Sequence, residues 1–154
     1  MVLGRESILR EMERGNIRIE PFDENLLEDV VYNIRIGNRV YILDKRLLEV
    51  VDVEREFWRY AEEYRLNDKP FTIHPGETAF IESLEELTLS KNIMGILHPK
   101  AKLPLMGLVI HTGGGKIDPG FKGKLIVGIS NIGGIPVRVR KGMVFAQISF
   151  WRVI

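Results

Sequence analysis

The 154-residue sequence contains no cysteine, a single glutamine and almost no net charge. Without cysteine there is no disulfide framework, no thiolate metal site and no cysteine nucleophile. A formal net charge of +1 provides no long-range field for holding nucleic acid or an anionic membrane. Long apolar runs are also missing, since none approaches the roughly 20 residues needed to span a bilayer. These absences exclude secreted disulfide scaffolds, thiol enzymes and membrane-spanning helices.

What is present indicates a globular protein. Apolar residues make up 45% of the chain, which is enough to bury a core. The first ten residues carry charges where a signal peptide needs an apolar stretch, so we expect a cytoplasmic protein. With no internal repeat or flexible linker, residues 1–154 are interpreted as a single domain. Abundant Glu, Lys and Arg with scarce Gln and no Cys is a bias common in hyperthermophile proteins.

The first half of the sequence mixes helical and strand patterns. Ile8, Leu9 and Met12 lie at helical spacing, and Gly15 provides a common helix end, so a helix is predicted over Arg5–Arg14. A second amphipathic helix is predicted over Val53–Leu66. Alternation of apolar and polar residues predicts three strands, the last two joined by a hairpin turn at Gly37-Asn38: Ile17–Phe22, Tyr32–Gly37 and Arg39–Leu43.

From Phe71 onward the chain consists of short apolar segments separated by Gly and Pro. Such spacing is typical of an all-β barrel or jelly-roll-like domain. The predicted fold is therefore mainly β, a distorted barrel with an N-terminal helix and one further short helix. The predicted strands of this half are Phe71–Ile73, Thr78–Ile81, Ile93–Leu97, Leu105–Ile110, Leu125–Ile129, Val137–Val139 and Val144–Phe150.

Several motifs occur in a fixed order along the chain. They are Ile17-Arg18-Ile19-Glu20-Pro21-Phe22, Tyr32-Asn33-Ile34-Arg35-Ile36-Gly37, Ile73-His74-Pro75-Gly76-Glu77, Gly115-Lys116-Ile117-Asp118-Pro119-Gly120-Phe121-Lys122-Gly123, Ser130-Asn131 and Gly142-Met143-Val144-Phe145-Ala146-Gln147. In order and spacing they resemble the dCTP deaminase/dUTPase family over nearly the whole chain. The most specific is the family's G-x-I-D-P-G-F-x-G stretch.

The resemblance implies a dUTPase-like β-barrel that assembles as a homotrimer with active sites between subunits. It also implies a deoxyuridine or deoxycytidine nucleotide as ligand, bound with Mg²⁺ that is held mainly by the phosphates and by water. In family members the aspartate matching Asp118 activates a water molecule, and the aromatic residue matching Phe121 packs against deoxyribose. Substrate-binding roles are carried over to Lys100, Lys102, Gly115 and Gln147, and no protein ligand set for a metal is expected.

The departures from the family pattern concern the catalytic groups. Family deaminases place a general acid/base glutamate where this chain has Gly128, and glycine cannot transfer a proton. The phosphate-binding arginine-serine stretch is replaced by residues Pro99–Pro104, in which Lys100 and Lys102 keep charge but lose the bidentate fork. Asn33 stands in place of a family aspartate. The sequence ends at Ile154, where family members continue into an arm that closes the site.

Each candidate residue also has a purely structural interpretation. Asp118-Pro119-Gly120 has the composition of a tight turn. Phe121 could be a core or interface side chain, and the Gly113–Gly115 run could mark a bend between strands. The lysines could simply be solvated residues at strand edges. For His111, after an apolar run, a partly buried histidine with a satisfied hydrogen bond is favoured over a ligand or base.

Three functions remain open on the sequence alone. The first is hydrolysis of dUTP to dUMP and pyrophosphate, with dCTP deamination lost. The second is a non-catalytic nucleotide-binding or regulatory member of the same fold. The third is a nucleic-acid-binding barrel, against which both the near-neutral charge and the lack of aromatic residues among the lysines speak.

Overall fold

A computed structural model describes residues 1–43, 50–54, 56–111 and 115–154 of the chain. The helices are α1 (Arg5–Glu13) and α2 (Lys102–Leu105). The strands are β1 (Ile17–Glu20), β2 (Tyr32–Leu43), β3 (Ala61–Arg65), β4 (Phe71–Ile73), β5 (Thr78–Leu89), β6 (Ile93–Pro99), β7 (Leu108–His111), β8 (Lys116–Ile117), β9 (Lys122–Asn131), β10 (Val137–Val139) and β11 (Val144–Arg152). The expected mainly β fold with an N-terminal helix is confirmed.

One large antiparallel sheet dominates the structure. Its strand order is β7-β9-β5-β2-β11-β6-β8, with β1 added to β5 and β3 added to β2. A separate ribbon pairs β10 with β4. Strand β2 pairs with β11 through its first residues and with β5 through its later ones, and both ladders contain a register shift. Because such shifts bend and twist a sheet, the sheet curls into half a barrel.

Alternation along the strands places the core on the inner face of this curl. Strand β5 alternates buried and half-buried residues over its whole length. Three aromatic side chains, Tyr32, Phe145 and Phe150, are fully buried between the sheet's inner surfaces. Helix α1 contributes Ile8 to the same cluster. Burial of one apolar face per strand fixes the register, because a slip by one residue would turn that face to water.

Two local predictions in the first half were wrong. The segment predicted as a helix over Val53–Leu66, of which residue 55 lies outside the described part, instead contains a 3-10 turn at Phe57–Arg59 followed by strand β3. Strand β3 pairs with β2, with Tyr64 opposite Val40, and so satisfies the backbone groups of β2. Pairing with a neighbouring strand therefore outweighed the helical spacing of the aromatic residues.

The hairpin turn predicted at Gly37-Asn38 is also absent, since β2 runs straight through these residues. A Cβ atom on Gly37 would lie 2.6 Å from the carbonyl oxygen of Glu82 and 2.7 Å from that of Ser83. The glycine therefore permits a close approach between β2 and β5 beside the register shift. The strand predicted to start at Leu105 begins at Leu108, because the preceding residues form α2 and anchor Leu103 in the core.

A buried carboxylate joins the first helix to the last strand. Glu11 is almost fully buried and accepts hydrogen bonds from Asn16 Nδ2 at 2.6 Å and from Arg152 Nη2 at 2.6 Å. Arg14 Nη1 lies 3.3 Å from the same carboxylate. The hydrogen bond from Asn16, followed by the contacts with Arg152 and Arg14, holds the pKa of Glu11 below its ordinary value, against the effect of burial. The ends of the chain are thus held together by an ionised group.

A second buried carboxylate lies between β2 and β5. Glu85 accepts the backbone N–H of Arg35 at 2.7 Å, and Arg35 Nε lies 3.3 Å from its other oxygen. Burial raises the pKa of Glu85, while the contacts with Arg35 oppose that rise. The Arg35 Nη2 atom is buried without a hydrogen-bond partner among the described residues. The guanidinium therefore depends on Glu85 for compensation of its charge.

The Glu11 cluster generates a pH-dependent contribution to stability. Because the folded state lowers the pKa of Glu11 below 4.5, the ionised carboxylate stabilises the fold above that pH, and this is lost as pH falls through the folded pKa. We expect Glu11→Gln to lower the free energy of unfolding at pH 7 by about 1.5–3 kcal/mol. Urea unfolding between pH 7 and pH 3 should show the difference shrinking in acid. Glu13→Gln, on the exposed side of α1, is the control, and a deficit independent of pH would contradict the assignment.

The Arg35–Glu85 pair should matter far more for stability than an exposed pair on the same strand. Glu85→Ala leaves the largely buried Arg35 guanidinium without its partner, and we expect the free energy of unfolding to fall by about 3 kcal/mol. The matched control is Glu63→Ala, because Arg39 Nε lies 3.4 Å from Glu63 and both side chains are 43% exposed. That change should cost less than about 1 kcal/mol. Equal losses in urea unfolding would refute the distinction.

Candidate functional site

Asp118 lies in a tight turn between β8 and β9. The N–H of Phe121 donates to the Asp118 carbonyl at 3.1 Å, and Gly120 has a positive φ of 83°. The Gly120 N–H donates to the Ser90 carbonyl at 3.1 Å, which fixes the turn against the neighbouring segment. The Asp118 side chain is 68% exposed and its carboxylate contacts the Lys116 ammonium. The turn thus presents an oriented carboxylate to solvent, where a water molecule can reach it.

Phe121 directly follows this turn. From the sequence it could contact a ligand or pack in the core, and in the structure its side chain borders both a cavity and the core. It is half-buried and packs against the core. It also lines a cavity of about 300 Å³ together with Lys116, Leu97 and Lys124. The cavity wall is largely apolar with lysines at its edge, a combination suited to a ligand with an apolar ring and a negative charge. Phe121 is therefore available to a ligand without leaving the core.

Lys100, directly after β6, and Gln147, within β11, meet at a second place. Gln147 Nε2 donates to Asn33 Oδ1 at 3.1 Å, and Lys100 Nζ donates to the same oxygen at 3.2 Å. Glu28 lies 3.3 Å from Gln147 Nε2 and 3.7 Å from Lys100 Nζ. Asn33 also donates to the Leu26 carbonyl at 3.0 Å and is almost fully buried. This hydrogen-bonded group fixes the positions of two side chains predicted to bind substrate.

Lys102, in α2, lines a different cavity of about 410 Å³ that also includes Lys100. Arg138 of β10 lines the same cavity and was not singled out from the sequence. The sequence feature that could have indicated an exposed arginine here is the alternation Val137-Arg138-Val139, in which both valines are buried and Arg138 is exposed. The cavities lined by Phe121 and by Lys102 share no lining residue. One chain therefore holds the predicted site residues in two separate places.

Of the Gly113–Gly115 run, the structure describes only Gly115. Gly113 and Gly114 lie outside the described residues. The Gly115 carbonyl accepts the N–H of Leu97 at 2.8 Å, which ties the start of the I-D-P-G stretch to β6. This contact places Gly115 beside the cavity lined by Leu97 and Phe121.

At Gly128, the side chain of His111 occupies the space in which any other residue would place its Cβ atom. A Cβ atom at position 128 would lie 2.7 Å from Nδ1 of the His111 ring and closer still to Cε1. His111 Nε2 lies 2.9 Å from Ser130 Oγ, which lies 2.6 Å from Thr78 Oγ1. His111 is exposed rather than partly buried, and its hydrogen bond is satisfied as expected. A side chain at position 128 would therefore require the His111 ring to move from its position in this structure.

The described residues offer no preformed metal cage. Among residues 1–43, 50–54, 56–111 and 115–154, no three acidic or histidine side chains are grouped closely enough to hold a metal ion. Within the same ranges, no helix has the length and apolar character needed to cross a membrane. Asp118 fits only the coordination mode in which Mg²⁺ takes most of its ligands from phosphates and water.

Comparison with known proteins gives one consistent result. Residues 2–153 match the family model described as dCTP deaminase-like. A relative from Nanoarchaeum equitans, named "dCTP deaminase, dUMP-forming", is 30% identical and is matched over 99% of this chain and 85% of its own length. A relative of the same name from Parafrankia sp. is 31% identical over 99% of this chain and 77% of its own length.

The solved structures agree on the fold. The 2'-deoxycytidine 5'-triphosphate deaminase from Agrobacterium tumefaciens has a TM-score of 0.77 at 20% identity, covering 99% of this chain and 48% of that one. A mutant dUTPase from phage phi11 of S. aureus, described with a structural Mg(II) ion, has a TM-score of 0.58 at 16% identity, covering 90% and 91%. The motif order, the curled sheet and the match over nearly the whole sequence lead to one conclusion: the chain belongs to the dCTP deaminase-like family.

Proposed function

We propose that this family member hydrolyses dUTP to dUMP and pyrophosphate and does not deaminate dCTP. The proposal is carried by one observation, namely that the chain retains Asp118 in an exposed turn but has a glycine at position 128. The turn keeps an exposed carboxylate beside Lys116 and Phe121. At Gly128 there is no carboxylate, and the His111 ring fills the space where one would begin. Of the two activities implied by the family resemblance, only hydrolysis retains its acid/base group.

In the proposed reaction, the Asp118 carboxylate orients a water molecule and accepts its proton. The water oxygen forms a bond to the α-phosphorus of dUTP while the bond from that phosphorus to the bridging oxygen breaks, and pyrophosphate leaves. The contact with Lys116 supports the proposal, because the neighbouring ammonium orients the carboxylate. Phe121 offers its ring to the deoxyribose, where a ribose 2'-hydroxyl would find no polar partner.

Mg²⁺ bound with the nucleotide would supply charge neutralisation on the phosphates. The residues of this chain would provide the remaining positive charge, from Lys100 and Lys102, while Gln147 and Asn33 fix the position of Lys100. Phosphate and water oxygens would have to provide most of the ligands of Mg²⁺, since no three acidic or histidine side chains of the described residues are grouped to hold a metal ion.

We also propose that the protein is a cytoplasmic homotrimer. The two groups of predicted site residues line separate cavities in one chain, and a neighbouring copy could bring one group to the other. Large apolar side chains at one edge support an interface: Leu105 is 87% exposed, Ile132 74% and Ile135 62%. The Ile132 N–H donates to the Gly107 carbonyl at 2.9 Å, which places this loop beside α2.

The alternative is a protein that binds the nucleotide without turning it over. The replacement of the arginine-serine stretch by lysines and prolines favours it. Under this alternative, dUTP would raise the unfolding temperature of the protein while no dUMP formed.

Asp118→Asn tests the proposed hydrolysis. Asparagine is as well suited as aspartate to the first position of the turn, so the fold and the unfolding temperature should be unchanged. Since general-base catalysis is typically worth 10²–10⁴ in rate, we expect kcat for dUMP formation to fall about 100-fold or more.

The matched control is Asp68→Asn, an exposed aspartate in another turn, which should keep full activity. Formation of dUMP by Asp118→Asn at more than half the rate of the unaltered protein would contradict the assigned role. If the unaltered protein binds dUTP but forms no dUMP, the non-catalytic alternative holds.

A further inference from the structure

The near-neutral total charge of the chain conceals an uneven distribution along the sequence. All but one of the 21 acidic residues lie within residues 1–86, and Asp118 is the exception. Residues 87–154 carry 10 of the 22 lysines and arginines. Some opposite charges meet across the fold, as Arg152 does with Glu11. The two parts of the sequence nevertheless have net charges of opposite sign, which matters wherever the charges stay unpaired at the surface.

An exposed apolar surface with acidic side chains lies between β2 and β3. We call it the acidic patch, and its exposed residues are Val50, Asp52, Val53, Glu54, Glu56 and Trp58. The side chains of Val50 and Val53 are 97% and 96% exposed, although an isolated chain gains nothing by presenting them to water. Glu54 and Glu56 have no ion pair with any residue that the structure describes, and Arg55 lies outside the described residues. The patch therefore offers apolar area and unpaired negative charge together.

A second exposed apolar surface is basic and lies beside α2 and β10. We call it the basic patch, and its exposed residues are Leu105, Ile132, Ile135, Arg138, Arg140 and Lys141. Asn131 Nδ2 donates to the Ile135 carbonyl at 2.8 Å, which fixes the loop that leads into β10. Burial of Val137 and Val139 turns Arg138 and Arg140 to the opposite, exposed face. Within the described ranges, neither arginine has an ion pair.

A closed ring of three identical copies requires two different surfaces on each chain. Around a threefold axis every contact is heterologous, so the surface that one copy presents differs from the surface that its neighbour presents. The acidic patch and the basic patch meet this requirement, because each combines exposed apolar side chains with unpaired charge and the two charges are opposite in sign. Pairing of either patch with its own copy would place like charges together.

We propose that the acidic patch of one copy docks on the basic patch of the next copy. This inference rests on the homotrimer proposed above and names the two surfaces that meet. The rings of Trp58 and Tyr41 pack edge-to-face with centroids 4.8 Å apart, so Trp58 is a preordered apolar anchor. Trp58 and the exposed valines would supply contact area against Leu105 and the isoleucines of the neighbouring copy. The carboxylates and guanidinium groups would set the orientation of the contact.

Charge reversal with rescue tests this pairing on the full chain. Sedimentation velocity over a range of protein concentrations measures the dissociation constant of the assembly at low salt. The double change Glu54→Lys and Glu56→Lys should raise that constant about tenfold or more, because two basic surfaces would then face each other. Arg138→Glu with Arg140→Glu should have the same effect from the other side. A chain carrying all four changes should return to within about threefold of the unaltered protein, because its patches are complementary again.

Two further variants separate the contact from its trivial causes. Glu13→Lys with Glu20→Lys alters the net charge by the same amount at exposed positions outside both patches, and should leave the constant within about twofold. Val53→Ser removes an apolar side chain that a single chain leaves in water, and should weaken the assembly without changing the circular dichroism.

A trimer whose dissociation constant neither reversal changes would overturn this inference and leave the homotrimer in place. So would failure of the fourfold variant to reassemble with its circular dichroism unchanged, or equal weakening by the Glu13 and Glu20 changes. An unaltered protein that is monomeric at every concentration would overturn both the homotrimer and this inference, and formation of dUMP by that monomer would still support hydrolysis. Restored assembly of the fourfold variant in a protein that forms no dUMP would support this inference and reject hydrolysis.

Discussion

Strand β2 is the element on which the rest of the structure depends. It hydrogen-bonds to β11 near its start and to β5 and β3 along its later part, so it joins the two ends of the main sheet. The change of partner requires the close approach at Gly37, where no side chain fits. The contacts of Arg35 with the Glu85 carboxylate also connect β2 to β5 at this point. Two residues before Arg35, Asn33 fixes Lys100 and Gln147, so the path of one strand places part of the candidate site.

The proposed function depends on a few positions in the dCTP deaminase-like fold. At position 128 the absence of a side chain leaves room for the His111 ring, and under the proposed function it also leaves deamination without an acid/base group. The ring is held by Ser130 and, through it, by Thr78, so the space is filled by an ordered arrangement. Lys100, Lys102 and Arg138 line a second cavity, which shares no lining residue with the cavity beside Phe121. The turn at Asp118 is closed by the hydrogen bond from the Phe121 N–H to the Asp118 carbonyl, and the Asp118 carboxylate is exposed.

Much of the fold could be predicted from the sequence, because burial of one strand face leaves a period-two pattern. Helix α1, strand β10 and the turn at Asp118 follow from local residue choices that the structure confirms. Strand β3 could not be predicted in this way, because its aromatic residues also fit helical spacing and only pairing with β2 decides between the two. Gly37 resembles a turn signal in sequence, whereas its role is set by the backbone of residues 82 and 83.

The candidate site was less accessible to sequence reasoning, because its contacts are long-range. Asp118 and Phe121 are close in sequence, and their relation could be predicted. By contrast, Lys100 and Gln147 meet through Asn33, and Arg138 reaches the cavity of Lys102 from another ribbon. The proximity of the His111 ring to Gly128 depends on the pairing of β7 with β9. No local pattern indicates these contacts.

We propose that this protein hydrolyses dUTP and does not deaminate dCTP. The most direct measurement supplies the unaltered protein and Mg²⁺ with dCTP and, separately, with dUTP, at moderate and high temperature, and resolves the products by chromatography. We expect dUTP to be converted to dUMP and pyrophosphate and dCTP to remain unchanged. Formation of dUTP or dUMP from dCTP would contradict it, because a deaminating group would then have to act despite Gly128 and the His111 ring that covers it.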